Sequence, residues 1–191
     1  MTRKIAISDI HGCARTLRRL LEKKVRLTPG DELFFLGDYI NRGPDSAGVI
    51  SYIRELKAEG FSVTCLMGNH EDRYLQQWGD RGYLKQSLPD WRDFFDTLLP
   101  YHIEGRYILV HAGLNFSAAD PMADTFSMMY IRNWKHRVKR SWLKGRVIIH
   151  GHTRQTVTQI RRGVAMGGPV ISIDAGCYAI EQAGQGHLCA F

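Results

Sequence analysis

Short apolar runs rich in β-branched residues recur along this chain, and each one ends at a polar block. These runs cover residues 4–8, 33–36, 63–67, 108–110 and 147–150. Runs of this length bounded by glycine are typical of buried strands. Between the first three runs, apolar positions recur with helical spacing over residues 17–25 and 46–59, which predicts two helices. The first part of the chain is therefore predicted to form a βαβαβ unit with parallel strands.

The pattern changes in the second part of the chain. Residues 71–99 show no strand pattern, and their widely spaced large apolar residues predict helices covering one face. Beyond residue 100, strands are predicted around Ile103 and over residues 107–110, 147–149, 157–160, 170–173 and 187–190, with one helix over 124–132. An α/β first half followed by a strand-rich second half predicts an α/β fold, a layered α/β/β/α sandwich of two mixed sheets flanked by helices. The length fits a single domain over residues 1–191.

Residues able to bind metal ions follow each of the five apolar runs over residues 4–8, 33–36, 63–67, 108–110 and 147–150. Because strand ends in an open α/β sheet gather ligand-binding residues at one edge, these side chains are expected to converge. Oxygen and imidazole donors without a thiolate suit Mn²⁺, Fe or Zn²⁺, and the carboxylate count favours a pair of ions. Asp9 and His11 are two residues apart and can reach a common ion, while Asp38 is the candidate to bridge both ions. The predicted ligands are Asp9, His11 and Asp38 for the first ion, and Asp38, Asn69, His111 and His152 for the second.

Further residues in the same blocks fit catalysis at phosphorus. Two ions can lower the pKa of a bridging water, and the resulting hydroxide attacks phosphorus in line. Charge that accumulates on the phosphoryl and leaving oxygens also needs guanidinium donors and a proton source. Arg42 and Arg132 are the candidate guanidinium groups. His70 follows Asn69 directly, so it faces another direction and is the candidate proton donor. These residues predict a two-metal hydrolase.

The blocks resemble those of the calcineurin-like metallophosphoesterases, and within them the small bacterial and phage-type serine/threonine protein phosphatases of the PPP-like group. The chain has SDIHG, GDYINRG, GNHE, HAG and GHT where that family has GDxHG, GDxxDRG, GNHE, HAG and a late GH. The resemblance implies the ligand set given above, with His70 as general acid and Arg42 and Arg132 on the phosphate. It also implies two divalent metal ions, with manganese the first choice and Fe, Zn or Mg the alternatives.

Asn41 departs from the family pattern, which has an aspartate that orients and charges the catalytic histidine. An asparagine carbonyl can still accept the N–H of His70, but it adds no negative charge to favour the imidazolium form. Loss of a charge-assisted bond of this kind costs on the order of 1–3 kcal/mol. Asn41 is therefore included among the catalytic candidates, and substrates with good leaving groups are expected to be affected least.

The leading prediction is a metal-dependent serine/threonine protein phosphatase, with phosphotyrosine also accepted, acting on phosphorylated proteins or small phosphomonoesters. The alternative is a symmetrical diadenosine tetraphosphate hydrolase. Those enzymes resemble the chain through residues 9–13 and 42–44, but they are typically longer. An alternative of another class is a non-catalytic phosphate-binding module, which Asn41 alone supports.

Charge and composition indicate which partners and which location to expect. The formal net charge of +7 favours anionic partners. Residues 132–146 are densely basic, but a solvated helical face with packed tryptophans is preferred over nucleic-acid contact. The apolar run near the N-terminus is too short for a signal peptide or a membrane helix, so a cytoplasmic location without membrane contact is expected. The oligomeric state is left open.

Overall fold

A three-stranded parallel sheet is built from the first part of the chain. In the computed structural model, residues 2–80 and 91–191 are described, apart from the side chains of residues 78–80. The strands are β1 (Lys4–Ile7), β2 (Glu32–Phe35) and β3 (Ser62–Cys65), and they pair in the order β1-β2-β3. Every pairing in this sheet is parallel. The predicted βαβαβ unit is therefore present.

Two helical segments connect these strands. The first is α1 (Ala14–Arg19), which continues as a π-helical segment over Leu20–Val25, and the second is α2 (Ser46–Ala58). Asp45 caps α2 by accepting the N–H of Gly48 at 2.7 Å. The apolar positions that predicted α2 are all buried against the first sheet, and they are Val49, Ile50, Ile53 and Leu56.

The middle of the chain forms helices, as predicted, over part of its described residues, whereas residues 96–99 are not helical and Leu99 forms a bridge with Leu66. Helix α3 (Asn69–Asp80) begins inside the third polar block, and α4 is formed by Arg92–Phe95. The helix prediction also covers residues 81–90, which lie outside the described residues. Phe94 and Phe95 of α4 are buried in the core on the side of the first sheet.

A second, mixed sheet faces the first. Its strands are β4 (Tyr101–Glu104), β5 (Tyr107–Val110), β6 (Val147–His150) and β7 (Val170–Ser172), in that order. Strand β4 is antiparallel to β5, and the other pairings are parallel. One buried cluster contains residues from both sheets, among them Phe34 and Leu36 from the first and Leu109 and Ile149 from the second. Two sheets packed face to face with helices outside confirm the predicted layered α/β architecture.

The second half contains more helix than the sequence pattern indicated. Beyond α5 (Thr125–Tyr130), it has a 3-10 turn (Lys135–Arg137), α6 (Arg140–Leu143) and α7 (Val157–Met166). The predicted strand over residues 157–160 is wrong, because it forms the first turn of α7. Thr156 and Gln159 make a capping box there, with each side chain accepting the other's backbone N–H. This reciprocal cap starts a helix in a segment whose β-branched residues favoured a strand.

The predicted strand over residues 187–190 is also wrong. His187 forms a bridge with Ala175, and Ala190 forms one with Ile7, so the segment changes partner before a ladder can develop. Phe191 exchanges two backbone hydrogen bonds with Ala6, both 2.9 Å long. The C-terminal residues thereby cover the free edge of β1. Within the described ranges, no helix has the length and apolar character needed to cross a membrane.

Candidate metal centre

The predicted ligands converge at the carboxyl ends of the strands of both sheets. Several of them lie in tight turns with left-handed backbone, a conformation that non-glycine residues rarely adopt. The φ angle is 48° at His11, 55° at Asp38 and 61° at His152. The chain therefore turns sharply at these positions, at the point where each strand ends.

Asp38 lies at the centre of the convergent group and is 2% exposed. Its Oδ2 is 3.4 Å from Nε2 of His11, and its Oδ1 is 3.5 Å from Nε2 of His111. Nε2 of His111 is also 3.2 Å from Oδ1 of Asn69. Among the described residues, two groups of ligand atoms lie within 4.8 Å of one another, His11 with Asp38 and His70, and Asp38 with His111 and His152. Asp38 belongs to both groups, which is the arrangement expected of a bridging carboxylate.

The imidazoles of His11 and His111 are held in the form that binds metal. Nδ1 of His11 lies 3.2 Å from the carbonyl oxygen of Ile40, and Nδ1 of His111 lies 2.8 Å from that of Leu36. A carbonyl accepts from Nδ1–H, so Nε2 is left with a free lone pair directed toward Asp38. Burial lowers the pKa of His11 to about 3 and that of His111 to about 4, which keeps both rings neutral at neutral pH.

His152 completes the second group and shows the same property. Burial lowers its pKa to about 3, and its Nε2 is buried without a hydrogen-bond partner. A buried nitrogen with no partner is costly unless another group satisfies it. The donor set therefore fits two divalent cations, one on each side of Asp38. These donors suit several first-row metals and do not select one.

Asp9 contacts the backbone of His152. Both of its carboxylate oxygens accept the backbone N–H of His152, at 3.1 and 2.9 Å. Gly151 makes this approach feasible, because a Cβ there would lie 1.9 Å from Oδ1 of Asp9. Burial, and then the nearby charges of Asp174 and Asp38, raise the pKa of Asp9. Asp9 is in neither three-residue group, whereas His70 is in one, so ligation by Asp9 stays a prediction.

Glu71 positions the turn that contains Asp38, a role that the sequence patterns did not reveal. Its buried carboxylate accepts the backbone N–H groups of Asp38 and Tyr39 at 2.9 and 2.8 Å. It also accepts those of Ile40 and Gly68, both at 3.2 Å. The available signal was a glutamate directly after Gly-Asn-His at a predicted strand end, where a buried acid needs several donors.

His70 and Asn41 are in contact, as the predicted pairing requires. Nδ2 of Asn41 is 3.1 Å from Nδ1 of His70. The amide nitrogen is therefore the donor, whereas the sequence led us to expect the carbonyl as an acceptor. Donation to Nδ1 places the ring proton on Nε2. Burial, and then Arg42 and Arg73, lower the pKa of His70 to about 4.

Four arginines surround the centre. A polar pocket of about 230 Å³ is lined by metal-ligand candidates together with Arg42, Arg73, Arg132 and Arg154. Arg42 and Arg132 were predicted, whereas Arg73 and Arg154 were not. Arg73 lies three residues after His70, and Arg154 lies two residues after His152. Neither spacing by itself indicates a binding role.

Tyr178 and Asp174 complete the wall of the pocket on the side of Arg42 and Arg154. The guanidinium carbons of Arg42 and Arg154 lie 4.8 and 5.5 Å from the Tyr178 ring centroid. Cation–π contact of this kind holds both arginines toward the pocket. Asp174 is buried, and its Oδ1 accepts the N–H of Gly176 at 2.7 Å. Burial raises the pKa of Asp174 to about 6.

The rest of the basic segment over residues 132–146 lies away from this pocket. Its other lysines and arginines are exposed, and Trp134 is buried and donates from Nε1 to the carbonyl of Ala112 at 3.0 Å. This arrangement fits the solvated face with a packed tryptophan that the sequence favoured.

Comparison with known proteins agrees with this geometry. The chain is 38% identical over 122 residues to the symmetrical bis(5'-nucleosyl)-tetraphosphatase of Dechloromonas aromatica, an alignment covering 57% of this chain and 43% of that protein. The chain thus spans less than half the length of this relative. A relative with the same name from Nitrosospira multiformis is 33% identical over 120 residues, covering 57% of this chain and 42% of that protein.

Solved structures of similar fold include more than one kind of phosphoesterase. One, provisionally named a diadenosine tetraphosphatase, has a TM-score of 0.72 and 25% identity and covers 99% of this chain and 88% of that one. A protein serine/threonine phosphatase from Saccharomyces cerevisiae has a TM-score of 0.63 and 18% identity, covering 100% of this chain and 79% of that one, which shows the fold alone. The family model for calcineurin-like phosphoesterases matches residues 2–175. The chain therefore belongs to the calcineurin-like phosphoesterases, a family of metal-dependent hydrolases.

Proposed function

We propose that this protein hydrolyses dinucleoside polyphosphates, in the manner of a symmetrical bis(5'-nucleosyl)-tetraphosphatase. The observation that carries the proposal is the ring of four arginines around the pocket of the candidate metal centre. A phosphomonoester presents one phosphoryl group, which two guanidinium groups can clamp. Four guanidinium groups around one pocket suit a chain of several phosphates. The names of the sequence relatives support the same substrate class.

The reaction adds one water across the central anhydride bond of a tetraphosphate. Attack at one of the two inner phosphorus atoms breaks its bond to the bridging oxygen, which leaves with the other half of the molecule. The products are two nucleoside diphosphates. His11, Asp38, His111 and His152 would hold divalent cations, which when bound would stabilise charge on the phosphoryl oxygens and activate the attacking water.

The protein's own groups perform the remaining steps. Arg42 and Arg132 bind non-bridging oxygens and stabilise the charge that develops on them. The Nε2–H of His70 donates a hydrogen bond to the departing oxygen and stabilises the charge on it, while Asn41 holds the ring in the tautomer that carries this proton. The departing phosphate takes its proton from water. Arg73 and Arg154 bind the phosphates on either side of the reacting one.

Asn41 agrees with an anhydride substrate better than with a serine phosphate. The leaving group of an anhydride is a phosphate, whose second pKa is about 6. A serine alkoxide resembles hydroxide, whose conjugate acid has a pKa of about 15.7. The anhydride therefore needs far less proton transfer, and a general acid without a carboxylate partner suffices.

Protein phosphatase activity, our first prediction from the sequence, is less well supported. Its support is the shared fold with phosphatases at less than 25% identity. The length of the chain, which argued against a dinucleotide hydrolase, does not outweigh its sequence similarity to those enzymes. Manganese as the metal, phosphoproteins as substrates and a cytoplasmic location stay predictions.

Turnover by metal-stripped protein tests the proposal. The protein is resupplied with Mn²⁺ or Mg²⁺ and given diadenosine tetraphosphate, p-nitrophenyl phosphate, a phosphoserine peptide and a phosphotyrosine peptide in parallel. We expect metal-restored formation of ADP as the sole nucleotide product, with a higher kcat/KM than for either peptide. Release of phosphate from the peptides without cleavage of the dinucleotide would establish the phosphatase instead. Metal binding without turnover of any substrate would support the alternative that the protein is a non-catalytic phosphate-binding module.

A further inference from the structure

An aromatic stack lies at the outer wall of the arginine-lined pocket. Phe126 and Tyr130 are one helical turn apart on α5, and their ring centroids are 4.6 Å apart with planes inclined by 16°. Tyr130 lines the pocket, whereas Phe126 is 63% exposed. One face of the Phe126 ring packs on Tyr130, so the opposite face is available to a ligand.

The stack is held in place by α3. The hydroxyl of Tyr130 donates to Oδ2 of Asp72 at 2.6 Å. The guanidinium carbon of Arg73 lies 5.5 Å from the centroid of the same ring. These contacts fix Tyr130 before any ligand arrives, and a preorganised aromatic surface loses little entropy on binding.

The order of chemical groups across the site matches that of a nucleotide. Arg73 and Tyr130 line the pocket together with the metal-ligand candidates and lie against each other, and Phe126, outside the pocket lining, packs on the ring of Tyr130. A nucleoside polyphosphate has phosphates, then a sugar, then a flat base. Phosphoserine in a protein has no flat ring at the corresponding position.

We propose that Phe126 and Tyr130 form a nucleobase-stacking platform, which binds one purine base of the substrate while Arg73 binds the phosphate next to that nucleoside. This assignment rests on the proposed function, because it takes the substrate to be a nucleotide. A large planar ring stacks on the open face of Phe126 by offset aromatic contact, which every base offers and which purines offer over the larger area.

Binding measurements test the platform without turnover. The metal-loaded protein is titrated with ADP and with inorganic pyrophosphate, which has the same two phosphates and no base. We expect ADP to bind more tightly than pyrophosphate. Phe126→Ala should weaken ADP binding on the order of tenfold and leave pyrophosphate binding unchanged. Phe126→Trp should retain tight binding of ADP. Met166→Ala serves as the matched control, because it shortens a large apolar side chain that is 74% exposed on α7. It should change neither ADP binding nor pyrophosphate binding.

Two results would overturn the platform. One is wild-type protein that binds ADP no more tightly than pyrophosphate, and the other is Phe126→Ala weakening both ligands equally. Because Phe126 is exposed, Phe126→Ala should have the melting temperature of the wild type. An unchanged melting temperature excludes misfolding as the cause of weaker ADP binding.

Turnover then separates this inference from the proposed function. In Phe126→Ala, KM for diadenosine tetraphosphate should rise on the order of tenfold, with a much smaller change in kcat. Hydrolysis of the dinucleotide that is insensitive to Phe126→Ala would keep the proposed function and remove the platform. Phe126-dependent ADP binding without hydrolysis of the dinucleotide would do the reverse.

Discussion

At the scale of single residues, one carboxylate organises the site. Asp38 is buried in a left-handed turn with imidazole nitrogens on both sides, at 3.4 and 3.5 Å from its two oxygens. Neutral imidazoles facing a shared buried carboxylate suit bound cations, because buried negative charge without compensation is costly.

Asp38→Asn should therefore remove the negative charge that both ions share. We expect metal content to fall below one ion per protein and kcat/KM to drop by at least about a hundredfold, since one bridging interaction is worth several kcal/mol. Metal analysis and turnover are measured on the same sample. His187→Ala, which removes an exposed histidine, is the control and should retain both metal and activity. Full metal content in Asp38→Asn would exclude the bridging role.

Asn41→Asp should change substrate preference rather than activity as a whole. A carboxylate beside Nδ1 of His70 favours the imidazolium and strengthens the acid. We expect roughly a tenfold gain on a phosphoserine peptide and little gain on diadenosine tetraphosphate or p-nitrophenyl phosphate, since a charge-assisted bond contributes about 1–3 kcal/mol. Equal gains on all three substrates would contradict proton donation by His70.

At the scale of elements, the turns that contain the metal-ligand candidates depend on neighbouring residues that hold their backbone. Glu71, in the first turn of α3, binds four backbone N–H groups in the turns after β2 and β3. It thereby connects two strand ends and fixes the left-handed conformation at Asp38.

Glu71→Gln keeps the size of the side chain but replaces one accepting oxygen with a donor. The amide nitrogen then faces backbone N–H groups, and we expect a loss of about 1–3 kcal/mol in the free energy of unfolding, together with weaker metal binding. Denaturant unfolding and metal titration measure these effects. Glu55→Gln, an exposed substitution on α2, is the control. Unchanged metal affinity in Glu71→Gln would show that the turn holds without this carboxylate.

Helix α7 allows two substitutions with opposite expected effects. Thr156→Ala removes one half of the capping box and should destabilise the protein by about 1 kcal/mol. Gly163→Ala lies within the same helix, where an added Cβ meets nothing within 4 Å, and should stabilise by about 0.5–1 kcal/mol. Thermal unfolding of both variants gives the signs. A stabilising Thr156→Ala would argue against the cap as the reason that this segment is helical.

At the scale of the whole molecule, an ion pair joins the first strand to the turn that precedes the second. Asp31 is buried and accepts from Nε of Arg3 at 2.9 Å and from the backbone N–H of Thr28 at 2.7 Å. The hydrogen bonds from Arg3 are the main reason that the pKa of Asp31 lies well below its usual range. The ionised carboxylate is thus favoured in the folded protein.

This lowered pKa makes stability depend on pH in a defined direction. The contribution of Asp31 is fully present above the unfolded pKa of about 3.9, and it is lost as the pH falls toward the folded value. Asp31→Asn should therefore be less stable than the wild type at pH 7, and the difference should shrink below about pH 4. Chemical unfolding of both proteins across this range is the measurement. If the difference in stability between the two proteins does not change with pH, the lost hydrogen bonds alone account for it.

The sequence by itself determined the βαβαβ unit, the layered architecture and the residue types at the strand ends, because these follow from local periodicity and from short blocks in a fixed order. It failed at residues 157–160, where a cap outweighed β-branched composition, and at 187–190, where two separate partners decided the pairing. The single domain over residues 1–191 stays a prediction.

Only the tertiary structure decided which side chains meet. Asp9 and the backbone of His152 are 143 positions apart in the chain, yet they share two hydrogen bonds. Arg73 and Arg154 have no distinguishing local pattern, and Phe126 is an ordinary apolar residue until its place beside the pocket is known. Local sequence sets the conformation of each turn, whereas distances between turns depend on how two sheets and their helices pack. The candidate donor residues could therefore be named from the sequence, whereas the shape and charge of the pocket that they line could not.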